Sequence, residues 1–171
     1  MVVIRWVETV SGWTEFTESV DTVKVYVSAS GSDSNDGLSE GTPKATIAAG
    51  IGVLRDGFPD WLLLNRGDTW TENITWTKSG RSASEPMVMW SYGSGARPKI
   101  DRLLGNAFFC QGSLNYLAFV GLEFMSSTYD GSQNSNATIF FLSSAGNTCT
   151  NILWEDMYIH NASTHFSKIG R

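Results

Sequence analysis

The densest group of titratable side chains in the sequence consists of Glu155, Asp156 and His160. Glu155 and Asp156 are neighbours, so on one β-strand their carboxylates would point to opposite faces. Asp156 and His160 are four residues apart and can share a face, where a carboxylate and an imidazole could act as general acid and base. We therefore predict Asp156 and His160 as catalytic residues. The alternative is a pair of charges on the surface of a sheet.

Three tryptophans are candidates for binding a sugar. Trp70, Trp76 and Trp90 stand on or beside predicted strands, and Asn and Asp residues occur near them. An outward indole ring would stack on the apolar face of a sugar, while amides and carboxylates would bond its hydroxyls. We predict all three as substrate-binding residues. The alternative is that the rings point inward and pack in the core.

The turn from Asp33 to Gly37 is rich in side-chain oxygens and resembles a calcium-binding loop. It is one residue short of the usual pattern and lacks the closing Glu. A turn held by bonds from side chains to backbone is the favoured interpretation. We therefore predict no metal ligands, while calcium is left open as a cofactor.

Further charged residues could face a substrate on successive strands. Asp101, Glu123 and Glu155 would form such a row if the register allows, which would suit a glycosidase with paired carboxylates. A set of basic residues near the middle strands could bind an acidic ligand, with solvated surface charges as the favoured alternative. They are Lys78, Arg81, Arg97, Lys99 and Arg102.

Composition excludes several classes of partner and fold. The net charge is −5, the pI is about 4.9 and the sequence has no basic stripe, so we expect no nucleic-acid partner. The sequence has no apolar run long enough to span a bilayer, so we expect no membrane partner. Its first residues do not resemble a signal peptide, which leaves intracellular location, removal of a leader and another route of export open. Many Ser, Thr, Asn and Gly residues disfavour a helical bundle, while 12% aromatic residues argue against disorder.

Most of the chain is predicted to consist of short strands separated by turns. Residues 1–22 show no clear period and are predicted to be an N-terminal extension. Residues 23–27 alternate like a strand, whereas apolar residues at helical spacing predict a single helix from about residue 46 to residue 55. Short strands with Gly, Asn and Ser turns favour a sandwich, a barrel or a solenoid.

An internal similarity favours the solenoid. An offset of 35 residues places Leu117 over Ile152, and an offset of 32 places Phe108 over Phe140. Units of this kind cannot bury their inner row of side chains alone, so they stack on one another.

Several motifs carry a resemblance to a known family. They are VYVS at 25–28, GSDSNDG at 31–37, TPKATI at 42–47, RGDTW at 66–70, PMVM at 86–89 and SYGSGARP at 91–98. This series resembles the N-terminal cap and first coils of right-handed parallel β-helix proteins of the pectate-lyase-like superfamily. The resemblance covers about residues 23–171. It implies an all-β, right-handed parallel β-helix with one N-terminal capping helix and about four coils.

The resemblance also implies a function. Members of the superfamily include polysaccharide lyases, glycoside hydrolases and virus-tail depolymerases, so we expect a carbohydrate-active protein whose partner is a polysaccharide. A non-enzymatic β-helix that binds polysaccharide, or builds a viral tail or surface appendage, is the alternative. Either role implies an extracellular or virion-associated protein. With about four coils, we expect a truncated and inactive member, or a homo-oligomer that covers the open C-terminal end.

Overall fold

The structure, a computed structural model, describes residues 14–102, 106–128, 138–140 and 148–160. The described chain is mostly β-structure with one short helix. Its elements are β1 (Lys24–Val27), α1 (Ile47–Val53), β2 (Trp61–Asn65), β3 (Thr69–Trp70), β4 (Ile74–Trp76), β5 (Met87–Tyr92), β6 (Lys99–Asp101), β7 (Asn106–Cys110), β8 (Leu114–Val120), β9 (Glu123–Met125), β10 (Thr138–Phe140), β11 (Cys149–Glu155) and β12 (Tyr158–Ile159).

The described strands form three parallel sheets. The five-stranded sheet has the order β1-β2-β5-β8-β11, the four-stranded sheet β12-β9-β6-β3 and the three-stranded sheet β10-β7-β4. From β2 onward the chain visits the five-, four- and three-stranded sheets in turn. Each strand after β4 therefore lies beside the strand three before it, and equivalent side chains stack on one another.

The core is built from the inward rows of these sheets. In the five-stranded sheet one row runs through Val25, Leu62, Met89, Phe119 and Trp154. The first four are fully buried, and the Phe119 and Trp154 rings stack with centroids 4.5 Å apart. Because alternate residues of a strand point to opposite faces, each inward row leaves an outward row beside it.

Helix α1 lies where the sequence predicts it and packs against the first strands. The Thr46 hydroxyl caps it by accepting a hydrogen bond from the Ala49 N–H. A Cβ on Gly50 would lie 2.7 Å from Leu62 Cδ1, so only glycine allows this close approach. No helix in the described ranges is long and apolar enough to cross a membrane.

The outward face of the five-stranded sheet is also apolar. Trp61, Leu63 and Val88 are buried there, and Phe16 packs against Trp90 with ring centroids 6.5 Å apart. Thr14 donates its N–H to a Glu155 carboxylate oxygen over 2.9 Å. The described part of the predicted extension therefore lies over this sheet, while residues 1–13 lie outside the described residues.

The register agrees with one predicted offset and corrects the other. Leu117 pairs with Ile152, as the offset of 35 predicts. The pairing of Phe108 with Phe140 is wrong, because Phe140 pairs with Phe109 and Phe108 pairs with Ile139. A bulge between Thr138 and Ile139 shifts the register by one residue there.

Candidate functional site

Asp156 lies in the turn between β11 and β12, where it is fixed by an arginine. Its φ angle is +53°, and the equivalent turn before β9 contains Gly121 at +68°. Arg97 Nη1 lies 2.6 Å from Asp156 Oδ2, and Arg97 Nη2 donates to Oδ1 over 2.7 Å. Arg97 also donates to the Asp156 carbonyl oxygen. The hydrogen bond to the Asp156 carboxylate raises the pKa of Arg97 above its ordinary value.

His160 lies just after β12 and bonds to a carboxylate of the neighbouring strand. Its Nε2 is 2.9 Å from Glu123 Oε1, and Lys99 Nζ is 3.4 Å from the same oxygen. The Glu123 side chain is only 14% exposed. In the neutral tautomer that donates from Nε2 to this carboxylate, Nδ1 is an acceptor. Among the described residues, none bonds to Nδ1.

Tyr158 completes this surface. It stands opposite Glu123 in the register, and Glu123 stands opposite Lys99. Tyr158 is 54% exposed, and its ring stacks on His160 with centroids 4.5 Å apart. The outward row of the four-stranded sheet thus combines an acid, two bases and an open aromatic ring. We call this row and the adjoining ion pair the charged face, defined by Arg97, Lys99, Glu123, Asp156, Tyr158 and His160.

The two predicted catalytic residues lie at this face but do not contact each other. Asp156 pairs with Arg97 and His160 pairs with Glu123, and no hydrogen bond or ion pair joins Asp156 to His160. Their catalytic roles stay a prediction. The residue that lies within hydrogen-bonding distance of the imidazole is Glu123, which the sequence analysis includes only in a row of three acids.

That row of three acids does not form. Asp101 stands opposite Met125, and it accepts a hydrogen bond from the Ser127 N–H over 2.8 Å. Glu155 belongs to a different sheet, because it pairs with Val120 in the five-stranded sheet. The expected row therefore contributes only Glu123 to the charged face.

The predicted sugar-binding tryptophans lie in different surroundings. Trp70 is 5% exposed and Trp76 is fully buried, and their indole N–H groups donate to the carbonyls of Ala45 and Lys78. Neither ring offers a face to a ligand in this conformation. Trp90 is half-buried, and a Cβ on Gly121 would lie 3.7 Å from its indole. Phe16 and Trp61 pack edge-on against Trp90, and its role in stacking on a sugar stays a prediction.

The oxygen-rich turn is held by its own hydrogen bonds. Asp33 accepts from the N–H groups of Ala45 and Thr46 and from the Thr46 hydroxyl, each over 2.9 Å. These donors, led by the Thr46 N–H, lower the pKa of Asp33. In the part of the chain that the structure describes, no group of three His, Cys, Asp or Glu side chains could hold a metal ion.

Comparison with known proteins gives a similarity in structure alone. No protein-family model and no curated protein matches the sequence. The native crystal structure of a GH136 lacto-N-biosidase from Eubacterium ramulus matches with a TM-score of 0.54 and 21% identity over 82% of this chain. The structure of its selenomethionine derivative matches with a TM-score of 0.52 and 20% identity. The chain spans 27% of the length of either. A rhamnogalacturonan lyase matches with a TM-score of 0.42 and 16% identity over 80% of this chain and 51% of the lyase chain. This TM-score is too low to indicate a shared fold.

Proposed function

We propose that the three parallel sheets belong to a right-handed parallel β-helix whose charged face acts on a polysaccharide. The rotation of successive strands through the three sheets supports the β-helix, since stacked coils produce this order. The similarity to a lacto-N-biosidase, by its name a carbohydrate-active enzyme, supports the choice of ligand class.

One observation carries the function. The Glu123 carboxylate lies between the His160 imidazole and the Lys99 ammonium, beside the open ring of Tyr158. An exposed aromatic ring can stack on a sugar, and the neighbouring charged groups can bond its hydroxyls and carboxylates. A polysaccharide lying along the outward row would contact all four side chains.

The proposed chemistry uses the free nitrogen of His160. In a lyase, Nδ1 accepts the proton on the carbon beside a sugar carboxylate while the C–O bond to the neighbouring sugar breaks and a C=C bond forms. In a hydrolase, Nδ1 accepts a proton from a water whose oxygen bonds to the anomeric carbon while the glycosidic bond breaks. Glu123 stabilises the imidazolium, and the departing sugar oxygen takes its proton from the imidazolium or from water. Lys99 and Arg97 place positive charge where a sugar carboxylate or a developing negative charge would lie. Asp156, held by Arg97, fixes the turn beside the ligand. A lyase and a hydrolase could both use this arrangement.

Incubation of the chain with a panel of polysaccharides tests the enzyme. New reducing ends report hydrolysis, while reducing ends together with absorbance of unsaturated products report a lyase. We expect the turnover rate to fall about 100-fold or more in His160→Ala, which is the usual effect of losing a general base. The turnover rate should also fall below that of the control in Glu123→Gln and Asp156→Asn. Glu18→Gln, which breaks an exposed pair elsewhere, is the matched control and should keep the rate within about twofold. Equal rates in His160→Ala and the control would contradict the assignment.

A specific observation also favours the non-enzymatic alternative. Both acids of the charged face already have basic partners, because Arg97 engages both oxygens of Asp156 and Glu123 has Lys99 and His160. A surface of paired charges suits binding without chemistry. Retention of the chain on an immobilised polysaccharide, without reducing ends and with loss of retention in Glu123→Gln, would identify a binding protein.

The proposal extends to a homo-oligomer that covers one end of the sheets. β11 and β12 are edge strands among those described, and Ile159 of the inward row is 38% exposed there. An uncovered apolar edge favours association with another chain. Size-exclusion chromatography with light scattering should show a dimer or larger species. A monomer at all concentrations would contradict this part of the proposal.

A further inference from the structure

Arg102 is a buried arginine directly after β6. Its side chain belongs to a residue only 7% exposed, although the sequence favours a solvated surface charge at this position. The backbone is fixed because the Arg102 N–H donates to the Met125 carbonyl over 2.8 Å. The neighbouring carboxylate of Asp101 accepts from the Ser127 N–H instead. The guanidinium therefore has no acidic neighbour along its own strand.

Two nitrogens of this guanidinium lack partners among the described residues. Nε and Nη1 are buried, and neither donates to any residue that the structure describes. The other described arginines all have acceptors: Arg55 with Asp60, Arg66 with Gly95 and Ser91, Arg81 with Asp21 and Glu85, and Arg97 with Asp156. Arg102 is the exception within the described ranges.

A buried guanidinium without an acceptor is unfavourable. Arginine stays protonated in proteins, so it cannot escape this cost by losing its proton. Burial disfavours its charged form and lowers the pKa of Arg102. Buried charges are normally paired, and an arginine fork matches two oxygens of one oxyanion. Nε and Nη1 point to different sides of the guanidinium, and each forms a fork together with Nη2. An anion with at least two oxygens is therefore the expected partner of one of these forks.

We propose that Arg102 anchors an oxyanion site that binds the carboxylate or sulfate group of an acidic sugar. The ligand class rests on the proposed function, whereas the oxyanion site rests on Arg102 alone. With this site, the polysaccharide that the chain prefers is one with acidic sugars.

Ligand-dependent stability of the full chain tests the site. The unfolding midpoint is measured at constant ionic strength with trigalacturonate, a sulfated galactose trisaccharide and neutral galactotriose. We expect the midpoint to rise with one or both acidic sugars and not with the neutral one, and the two acidic arms distinguish carboxylate from sulfate. Arg102→Met should weaken binding of that sugar at least tenfold in calorimetry, and Arg102→Lys should weaken it less. Arg66→Met, which removes the same charge elsewhere, is the matched control and should bind as the wild type does.

The outcomes separate this site from the charged face. Equal midpoints of the wild-type chain in acidic and neutral sugar would overturn the oxyanion site, even if Arg102→Met does not fold. Equal affinity in Arg102→Met and Arg66→Met would overturn it as well. Binding that is lost in Arg102→Met but kept in Glu123→Gln would support the Arg102 site and contradict the charged face as the binding surface. Turnover of a neutral polysaccharide without any acidic-sugar binding would leave the proposed function standing and overturn the site.

Discussion

Substitution of Asp156 separates the two physical roles of this residue, a strained backbone and an ion pair. The backbone has φ +53°, a region that Gly and Asn adopt readily and that costs Ala about 1–2 kcal/mol. The carboxylate makes two short contacts with Arg97, and both side chains are about one-third exposed. Discounted for solvent screening, such a pair contributes about 1 kcal/mol.

These contributions predict an order of stability. Asp156→Asn and Asp156→Gly keep the backbone conformation and lose the ion pair, so each should lower the free energy of unfolding by about 1 kcal/mol. Asp156→Ala loses both and should lower it by about 2–3 kcal/mol. Urea unfolding at pH 7, followed by tryptophan fluorescence, measures the series. In a double-mutant cycle of Asp156→Asn with Arg97→Met, the coupling energy should be about 1 kcal/mol.

A matched control isolates the backbone contribution. Gly121 occupies the equivalent turn at φ +68°, and a Cβ there would approach Trp90 and Asp156 no closer than 3.7 Å. Gly121→Ala should therefore cost about 1–2 kcal/mol without a steric clash. If Asp156→Ala is as stable as Asp156→Gly, the backbone reasoning is refuted. If the coupling energy is zero, the ion pair is refuted.

Three further substitutions test the parts of the fold that support the site. Asp60→Ala removes a fully buried carboxylate that accepts four hydrogen bonds and should cost about 3–5 kcal/mol in urea unfolding; a loss below 1 kcal/mol would mean that its arginine partner finds other acceptors. Gly50→Ala forces a Cβ to within 2.7 Å of Leu62 and should cost about 1–3 kcal/mol, whereas an unchanged Tm would show that α1 can move away. The pKa of Asp33 lies below its ordinary value of 3.8, chiefly because the Thr46 N–H donates to it, so its contribution is complete above about pH 4 and disappears as the pH falls through the lowered pKa. The stability difference between wild type and Asp33→Asn should therefore be constant near pH 7 and shrink below about pH 4, and a difference independent of pH down to pH 2 would contradict this assignment.

Local patterns in the sequence are sufficient to predict many of the elements. The helix is predicted from about residue 46 to 55 and found at Ile47–Val53, because apolar spacing and a capping Thr are local signals. The offset of 35 that aligns Leu117 with Ile152 also aligns Gly121 with Asp156, and both turns adopt positive φ. The bulge before Ile139 left no such signal, so the offset of 32 fails there.

Whether the sequence predicts the orientation of a tryptophan depends on how much alternation of apolar and polar residues its strand contains. Ile74 and Trp76 alternate with a Thr, which already favours the inward packing that is found. Residues 87–90 are apolar at every position, so alternation cannot assign a face to Trp90. Trp70 ends a strand of two residues, which is too short to show a period.

The partners at the charged face are separated too far along the chain for local signals. Arg97 and Asp156 are 59 residues apart, and His160 meets Glu123 across 37 residues. These contacts depend on which strands are neighbours in the four-stranded sheet. The same offset of 35 places Tyr158 beside Glu123. The internal repeat therefore predicts which of these side chains are neighbours, whereas the positions of the charged residues alone do not. The burial of Arg102 could not be predicted from its residue type, because arginine is usually exposed.

We propose that a polysaccharide lies along the outward row of the four-stranded sheet. The isotope-labelled chain is titrated with an oligosaccharide cut from the polysaccharide on which the chain is retained. The amide chemical shifts recorded during this titration test the placement of the ligand. We predict the largest shifts at Lys99, Glu123 and Tyr158 and none at Leu153 on the outward face of the five-stranded sheet. Shifts centred on Leu153, or saturation of the titration with no change at Glu123 and Tyr158, would contradict the claim.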